Sequence, residues 1–287
     1  MAGNAKRRFV WGLLLFLLMA PWVACPAAAA ADTPTRIISL APNITEVLFA
    51  LGLGDRIVGV TTFCDYPAEA KKKPKIGGMS NPSLEAVVSL RPDIVVMTTD
   101  GNPKEFEERL RSMKIRTYVV TSRRLSELPQ GIRELGAALG AKEKADRLAA
   151  SLRSSIEGFG RSHTAARGKK VLFIVWPEPL IAAGVGTVID DSLTLLGAEN
   201  LAARTGAEYP KYSLEEILRH PPDVIIIGKG MDSKDVEKIS QGLLQRLKIL
   251  PAVREGRVYF VGDGLYRLGP RIPQGIAELI RVLESRP

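Results

Sequence analysis

The chain has 287 residues, 46% of them hydrophobic, with a net charge of +9 and only two cysteines. That length exceeds one compact core of the commonest size and suits two lobes. The positive excess is spread out, and its denser spots, Lys71–Lys73 and Lys169–Lys170, adjoin turn residues, so they read as solvated loops and not as a nucleic-acid surface.

A targeting segment comes first. Lys6, Arg7 and Arg8 precede an apolar run from Phe9 to Val23, and small residues follow from Ala27 to Ala31. This order predicts a signal peptide over residues 1–30, cleaved near Ala30 or Ala31. Two alternatives stand beside it. The run approaches the length of an uncleaved membrane anchor, against which Pro21 and the small-residue tract argue. Cys25, in Trp22-Val23-Ala24-Cys25, is a candidate for lipid attachment, with tryptophan standing where leucine is usual. Cleavage would lower the net charge to +6 and leave a single cysteine, Cys64, which is expected to be buried and cannot form an intramolecular disulfide. No second long apolar segment follows, so the mature chain is soluble or tethered only at its N-terminus.

Short apolar runs then alternate with helical patterns, the mark of an α/β architecture. Strands are predicted at Arg36–Leu40, Ile57–Thr61, Ile94–Thr98 and Thr117–Val120. Helices are predicted from an Asn43 cap to Gly52, over Pro103–Met113 and over Ser126–Leu139. The strands are near-continuous apolar runs, which predicts helices on both sheet faces. Ala141–Ala166 has charges and alanines but no proline, and reads as one helix of about six or seven turns. Beyond it, strands are expected at Val171–Trp176, Val224–Gly228 and Val258–Val261, and helices at Val188–Leu196, Leu214–Arg219, Ser233–Leu247 and Ile272–Ser285. The domain plan is therefore an N-terminal lobe (31–140), a rigid connecting helix (141–167) and a C-terminal lobe (168–287).

An internal repeat supports two related lobes. Ser83-Leu84-Glu85-Ala86-Val87-Val88 leads, nine positions after its serine, to Pro92-Asp93-Ile94-Val95-Val96; Ser213-Leu214-Glu215-Glu216-Ile217-Leu218 leads at the same offset to Pro222-Asp223-Val224-Ile225-Ile226. Each serine can cap a short helix, and each glutamate suits the positive end of the helix dipole. Leu51-Gly52-Leu53-Gly54-Asp55 is echoed by Leu196-Gly197-Ala198-Glu199-Asn200. A ligand is expected in the crevice beyond the carboxyl ends of the strands.

Catalytic signatures are missing: no phosphate-binding G-x-x-x-x-G-K-[ST] loop, no G-x-S-x-G elbow and no H-E-x-x-H. Gly184-Val185-Gly186 lacks the third glycine of a dinucleotide fingerprint and reads as a tight turn. His163 and His220 have no Cys or His neighbour at ligand spacing, so no metal site is expected. Asp190-Asp191 fits a helix first turn better than paired acid–base chemistry. Phe63, Tyr66, Trp176, Tyr209, Tyr212 and Tyr266 fall in or beside predicted loops of both halves, and a mouth of flat rings would suit a large planar ligand. Arg267 could add a hydrogen-bond donor.

On these residues the chain resembles the periplasmic substrate-binding proteins of ABC importers for vitamin B12, heme and ferric siderophores. The resemblance rests on Arg36-Ile37-Ile38-Ser39-Leu40-Ala41-Pro42-Asn43-Ile44-Thr45-Glu46, on both S-L-E…P-D segments and on the long connecting helix. The cobalamin-binding branch fits best, through Phe63-Cys64-Asp65-Tyr66-Pro67, Gly77-Gly78 with Asn81-Pro82, and Trp176-Pro177-Glu178-Pro179-Leu180 with Gly184-Val185-Gly186-Thr187. It implies two Rossmann-like lobes on a helical backbone, a periplasmic location, a monomer, no catalytic activity, and a corrinoid as cargo and not as cofactor. It also implies a cleft lined by Phe63, Tyr66, Met79, Trp176, Tyr209, Tyr266 and Arg267, with Met79 near the place of a tryptophan in some relatives. Glu85 and Glu215 would dock on a permease dimer. Heme or a ferric siderophore, held through Tyr66 or Tyr209, is the alternative within the class; an α/β enzyme using the cleft is the alternative outside it.

Overall fold

A computed structural model of the protein describes residues 33–162, 166–230 and 233–285. The signal-peptide segment, Cys25 and His163 lie outside them. The first half runs β1 (Ile37–Ser39), α1 (Pro42–Ala50), β2 (Ile57–Val60), α2 (Leu84–Ser89), β3 (Ile94–Thr98), α3 (Lys104–Ser112), β4 (Arg116–Val120) and α4 (Leu128–Ala138). One helix, α5 (Lys142–Ser162), follows; its 21 residues span about 32 Å at 1.5 Å each. The second half runs β5 (Lys170–Pro177), β6 (Leu180–Ala182), α6 (Val188–Leu195), β7 (Glu199–Asn200), α7 (Leu214–Arg219), β8 (Val224–Gly228), α8 (Ser233–Arg246), α9 (Pro251–Arg254), β9 (Val258–Val261) and α10 (Ile272–Glu284).

The first sheet has the order β2-β1-β3-β4, parallel throughout. The second repeats it: β5 lies between β7 and β8, and β9 follows β8, again parallel. The antiparallel β6 is added at one end of β5. The sequence repeat maps onto this equivalence. Ser83 and Ser213 cap α2 and α7 by accepting from the backbone N–H of Ala86 (3.2 Å) and Glu216 (3.0 Å). The aspartates of the two P-D pairs do the same work as each other. Asp93 accepts from the N–H groups of Thr35 (2.8 Å) and Arg36 (2.9 Å), and Asp223 accepts from Lys170 N–H (2.8 Å). Each thereby fastens the start of the first strand of its half. The three donors at Thr35 and Arg36 hold the Asp93 carboxyl below its ordinary pKa.

Alternate residues of the central strands point to different cores, as a period of two requires. Ile37 and Val96, with Val171, Phe173 and Ile226, enter one buried cluster that runs through both halves and takes in α1, α4, α5 and α10. Their neighbours Ile38 and Val95 pack outward with Phe106 and Leu110, and Leu172 and Ile225 pack outward with Val236 and Leu243. Residues from Thr33 onward accordingly form one compact unit. The sequence plan needs two adjustments here. Asn43 does not cap α1: Pro42 occupies the first helical turn, Ala41 is the cap residue, and Asn43 reaches Leu268 O at 3.4 Å instead. The short β6, β7 and α9 carry too few residues for a periodic signal. Cys64 is buried, and its sulfur is approached by the hydroxyls of Thr45 (3.0 Å) and Thr61 (3.1 Å).

The connector is clamped by a close helix crossing. A Cβ on Gly136 of α4 would lie 2.1 Å from the Ala145 Cβ of α5. Gly136→Ala gains about 1 kcal/mol of helix propensity but must push α5 away, an overpacking cost of about 1–3 kcal/mol. Net destabilisation is expected, seen as a lower Tm in thermal unfolding; an unchanged or higher Tm would show that the crossing is not tight.

Candidate functional site

A cavity of about 510 Å³ opens between the two halves, at the carboxyl ends of both sets of strands. That is the position the crossover topology leaves open, because the loops leaving the strands diverge there. The first half contributes Phe63 after β2, Met79, Thr98 at the end of β3, and Arg123 after β4; the second contributes Trp176 at the end of β5 and Tyr209. Phe63, Trp176 and Tyr209 are 42%, 37% and 47% exposed, so their rings present open faces to the cavity. Trp176 is oriented by its Nε1–H, which donates to Glu178 O at 2.7 Å. Tyr266 lies deeper, edge-on to Phe173 with centroids 5.9 Å apart, and its hydroxyl has no partner among the described residues.

Six of the seven sequence-chosen cleft residues (Phe63, Met79, Trp176, Tyr209, Tyr266 and Arg267) come together here. Tyr66 stands apart from the lining. Its ring lies under Arg271, with the guanidinium carbon 4.6 Å from the centroid, a cation–π stack. Burial, then the carboxylates of Asp100 and Glu208, push the Tyr209 hydroxyl up to about 12. Burial also drives Tyr266 upward. Both phenols are therefore neutral donors at ordinary pH.

Arg267 does more than line the cavity. Its Nη1 donates to Glu46 Oε1 (2.9 Å) and Asp65 Oδ1 (2.8 Å), and its Nη2 stands 2.8 Å from Asp263 Oδ2. That last contact is an ion pair by distance without hydrogen-bond geometry, and Arg267 Nε has no partner among the described residues. Arg271 adds Nη2 to Glu46 Oε1 (2.8 Å) and Nε to Glu46 Oε2 (3.0 Å). The Glu46 side chain is 1% exposed, on α1, and both arginines come from the segment before α10. Burial opposes the charged form of Asp65, but the hydrogen bond and charge of Arg267 outweigh it and hold its carboxyl below the ordinary range. Two further pairs join the halves at the rim. Arg123 meets Glu208 at 2.7 Å, and Arg124 grips Asp191, whose carboxylate also accepts from Leu125 N–H at 2.9 Å.

Several contributors were not singled out from the sequence. Glu46 could have been noticed as a charge embedded in the apolar stretch of α1. Asn102 carried no signal at all: its Nδ2 donates to Leu40 O (2.9 Å) and Met79 O (2.8 Å), and its Oδ1 accepts from Thr98 N–H (2.8 Å), so it holds one wall of the cavity. Asp190 is resolved from Asp191. It is buried and accepts from Gly186 N–H (3.1 Å) and Asn200 Nδ2 (2.9 Å), shaping the loop at the second wall. Glu85 and Glu215 are both exposed, on α2 and α7, and neither carboxylate has a partner among the described residues. Among the described residues no group of His, Cys, Asp and Glu is arranged to hold a metal ion, and no helix is long and apolar enough to cross a membrane.

Comparison with known proteins agrees with this architecture. The periplasmic binding protein family matches residues 37–264. An uncharacterized ABC transporter substrate-binding lipoprotein of Bacillus subtilis is 35% identical over 86% of this chain and 79% of its own length. The vitamin B12-binding protein of Pectobacterium carotovorum is 32% identical over 72% of this chain and 75% of its own. The solved periplasmic heme-binding protein of Roseiflexus, in its apo form, superposes with a TM-score of 0.77 at 30% identity, covering 86% of this chain and 97% of that one. The chain belongs to the periplasmic binding protein family.

Removing Glu46 tests the inter-half network. Glu46→Ala leaves two buried guanidiniums short of their shared acceptor, and truncating one partner of a buried charge pair costs about 3–5 kcal/mol. Urea unfolding is expected to show a much lower midpoint; a midpoint within experimental scatter of the parent would mean that Asp65 and Asp263 suffice.

Proposed function

Proceeding from that family membership, we propose that this protein is the ligand-capturing component of an ABC importer and that its cargo is a corrinoid. The halves 31–140 and 168–287 act as two lobes, held by the connecting helix within 141–167, and the cargo is clamped between them. The reading places the protein outside the cytoplasmic membrane, as a monomer that presents its load to a permease dimer. It has no catalytic role.

The observation that carries the reading is the cavity: wide, open, shared by both halves, and faced by the flat rings of Phe63, Trp176 and Tyr209. Aromatic rings give large contact area at low entropic cost, which suits a rigid macrocycle. Two relatives at 32% identity are named for vitamin B12, and this supports the same choice. Heme is the second reading, favoured by the likeness to a heme-binding structure. It would need an axial ligand; no histidine lines the cavity among the described residues, and Tyr209 is the half-exposed phenol there that could serve.

Calorimetric titration of the ligand-free protein with cyanocobalamin, cobinamide and hemin separates the readings. One-to-one corrinoid binding without a hemin response is the expected result. Hemin binding alone would move the cargo to heme.

Glu85 and Glu215 complete the proposal. They sit at equivalent places in the repeat, each in the first turn of a serine-capped helix, exposed and unpaired among the described residues. Two related carboxylates suit the two related subunits of a permease dimer. The double variant Glu85→Ala, Glu215→Ala is expected to abolish uptake in a transport assay while leaving cargo affinity unchanged. Loss of cargo binding in that variant would sink the division of labour.

A further inference from the structure

We propose that the cavity selects its cargo by charge, with Asp100 and Arg123 as opposing specificity determinants that favour ligands with uncharged or cationic edges over ligands carrying peripheral carboxylates. This rests on the corrinoid reading and sharpens it, from the kind of ring to the kind of substituent the ring bears.

Among the described residues four ionised side chains line the cavity: Asp100, Arg123, Glu208 and Arg267. Counted singly they balance, but the two arginines are not free to receive an anion. Arg123 is already paired with Glu208 at 2.7 Å. A ligand carboxylate that took Arg123 would have to share its guanidinium with Glu208, whose charge already offsets it. Arg267 faces Glu46, Asp65 and Asp263, while Arg271 shares Glu46 and Asp263 with it. Three carboxylates therefore face two guanidiniums, and the cluster behind that wall is one charge negative.

Asp100 tips the balance further. Its backbone N–H donates to Thr98 Oγ1 at 3.2 Å, but its carboxylate has no counter-ion among the described residues. Among the described residues no lysine lines the cavity to offset it. At Tyr209 burial is the main cause that disfavours the phenolate; Asp100 and Glu208 add to it and Arg123 opposes them. An amide-edged ligand carries no net charge to this surplus and meets none of this repulsion. A carboxylate at the same edge meets a surplus of negative charge that solvent screens in part, since Asp100 is exposed and the Arg123–Glu208 pair half-exposed.

The test uses the same corrinoid in two forms, cyanocobalamin and a derivative in which one peripheral amide has been hydrolysed to a carboxylate. Both are titrated into the parent protein, Asp100→Asn and Arg123→Gln at low salt, with hemin, which carries two carboxylates, run alongside. The parent is expected to bind the amide form about threefold to tenfold more tightly than the carboxylate form, the scale of one partly screened charge. Asp100→Asn should narrow that gap and tighten hemin, and Arg123→Gln should widen it and weaken hemin. Equal affinities for both corrinoids in all three proteins would overturn charge selection while leaving the corrinoid reading intact. Hemin binding without corrinoid binding would overturn the cargo reading, and the hemin series would then decide the charge proposal by itself. Silence toward every ligand would overturn both.

Discussion

The Glu46 carboxylate is the point on which the arrangement of the two halves turns. It projects from the first helix of the chain, is almost wholly removed from solvent, and is met by Arg267 and Arg271 from the segment that leads into the last helix. An isolated carboxylate at that depth would be prohibitively costly, so it can persist only while both guanidiniums are present. Sequence separations of 221 and 225 residues are thus closed by one group. The apolar cluster that passes through both sheets supplies the driving force for this closure; the ion network fixes its register.

Several features act together to make the cavity a preformed one. The connecting helix is locked against α4 at a glycine crossing, the halves share a core, and the rim is tied by Arg123–Glu208 and Arg124–Asp191. Wide hinge motion would have to break all of these at once. Small adjustments of the rim need only the half-exposed Arg123–Glu208 pair to yield. Asn102 on one wall and Asp190 on the other belong to the same plan, since each satisfies backbone groups of irregular loops that would otherwise line the cavity unpaired.

Much of this was legible in the sequence, and the reasons are specific. β3 and β8 read clearly because they are buried on both faces and therefore written as continuous β-branched runs. The repeat was readable because its serine cap and its aspartate strand clasp are local devices at fixed spacing, and each performs the same bond in both copies. The cavity's aromatic residues stood out because they interrupt loops. Long-range polar contacts were not readable. Nothing near Asn43 says that it will face Leu268, and nothing near Tyr66 says that Arg271 will cover it, since both partners arrive from the far end of the chain. β6 and β7 are held by pairing with β5 and have hardly any propensity signal of their own.

Cys64 lies where β2 gives way to the cavity wall, walled in by two threonine hydroxyls and the first core. As the only thiol among the described residues, it is sealed from oxidants and from modifying reagents as long as the surrounding structure holds. Its reaction with a small thiol reagent would be gated by transient opening of that region. The labelling rate would then report the local opening equilibrium when reclosing is fast, and the opening rate itself when the reagent is abundant. The molecule thus carries a native clock for its own breathing, one whose ticking a ligand seated beside Phe63 would slow.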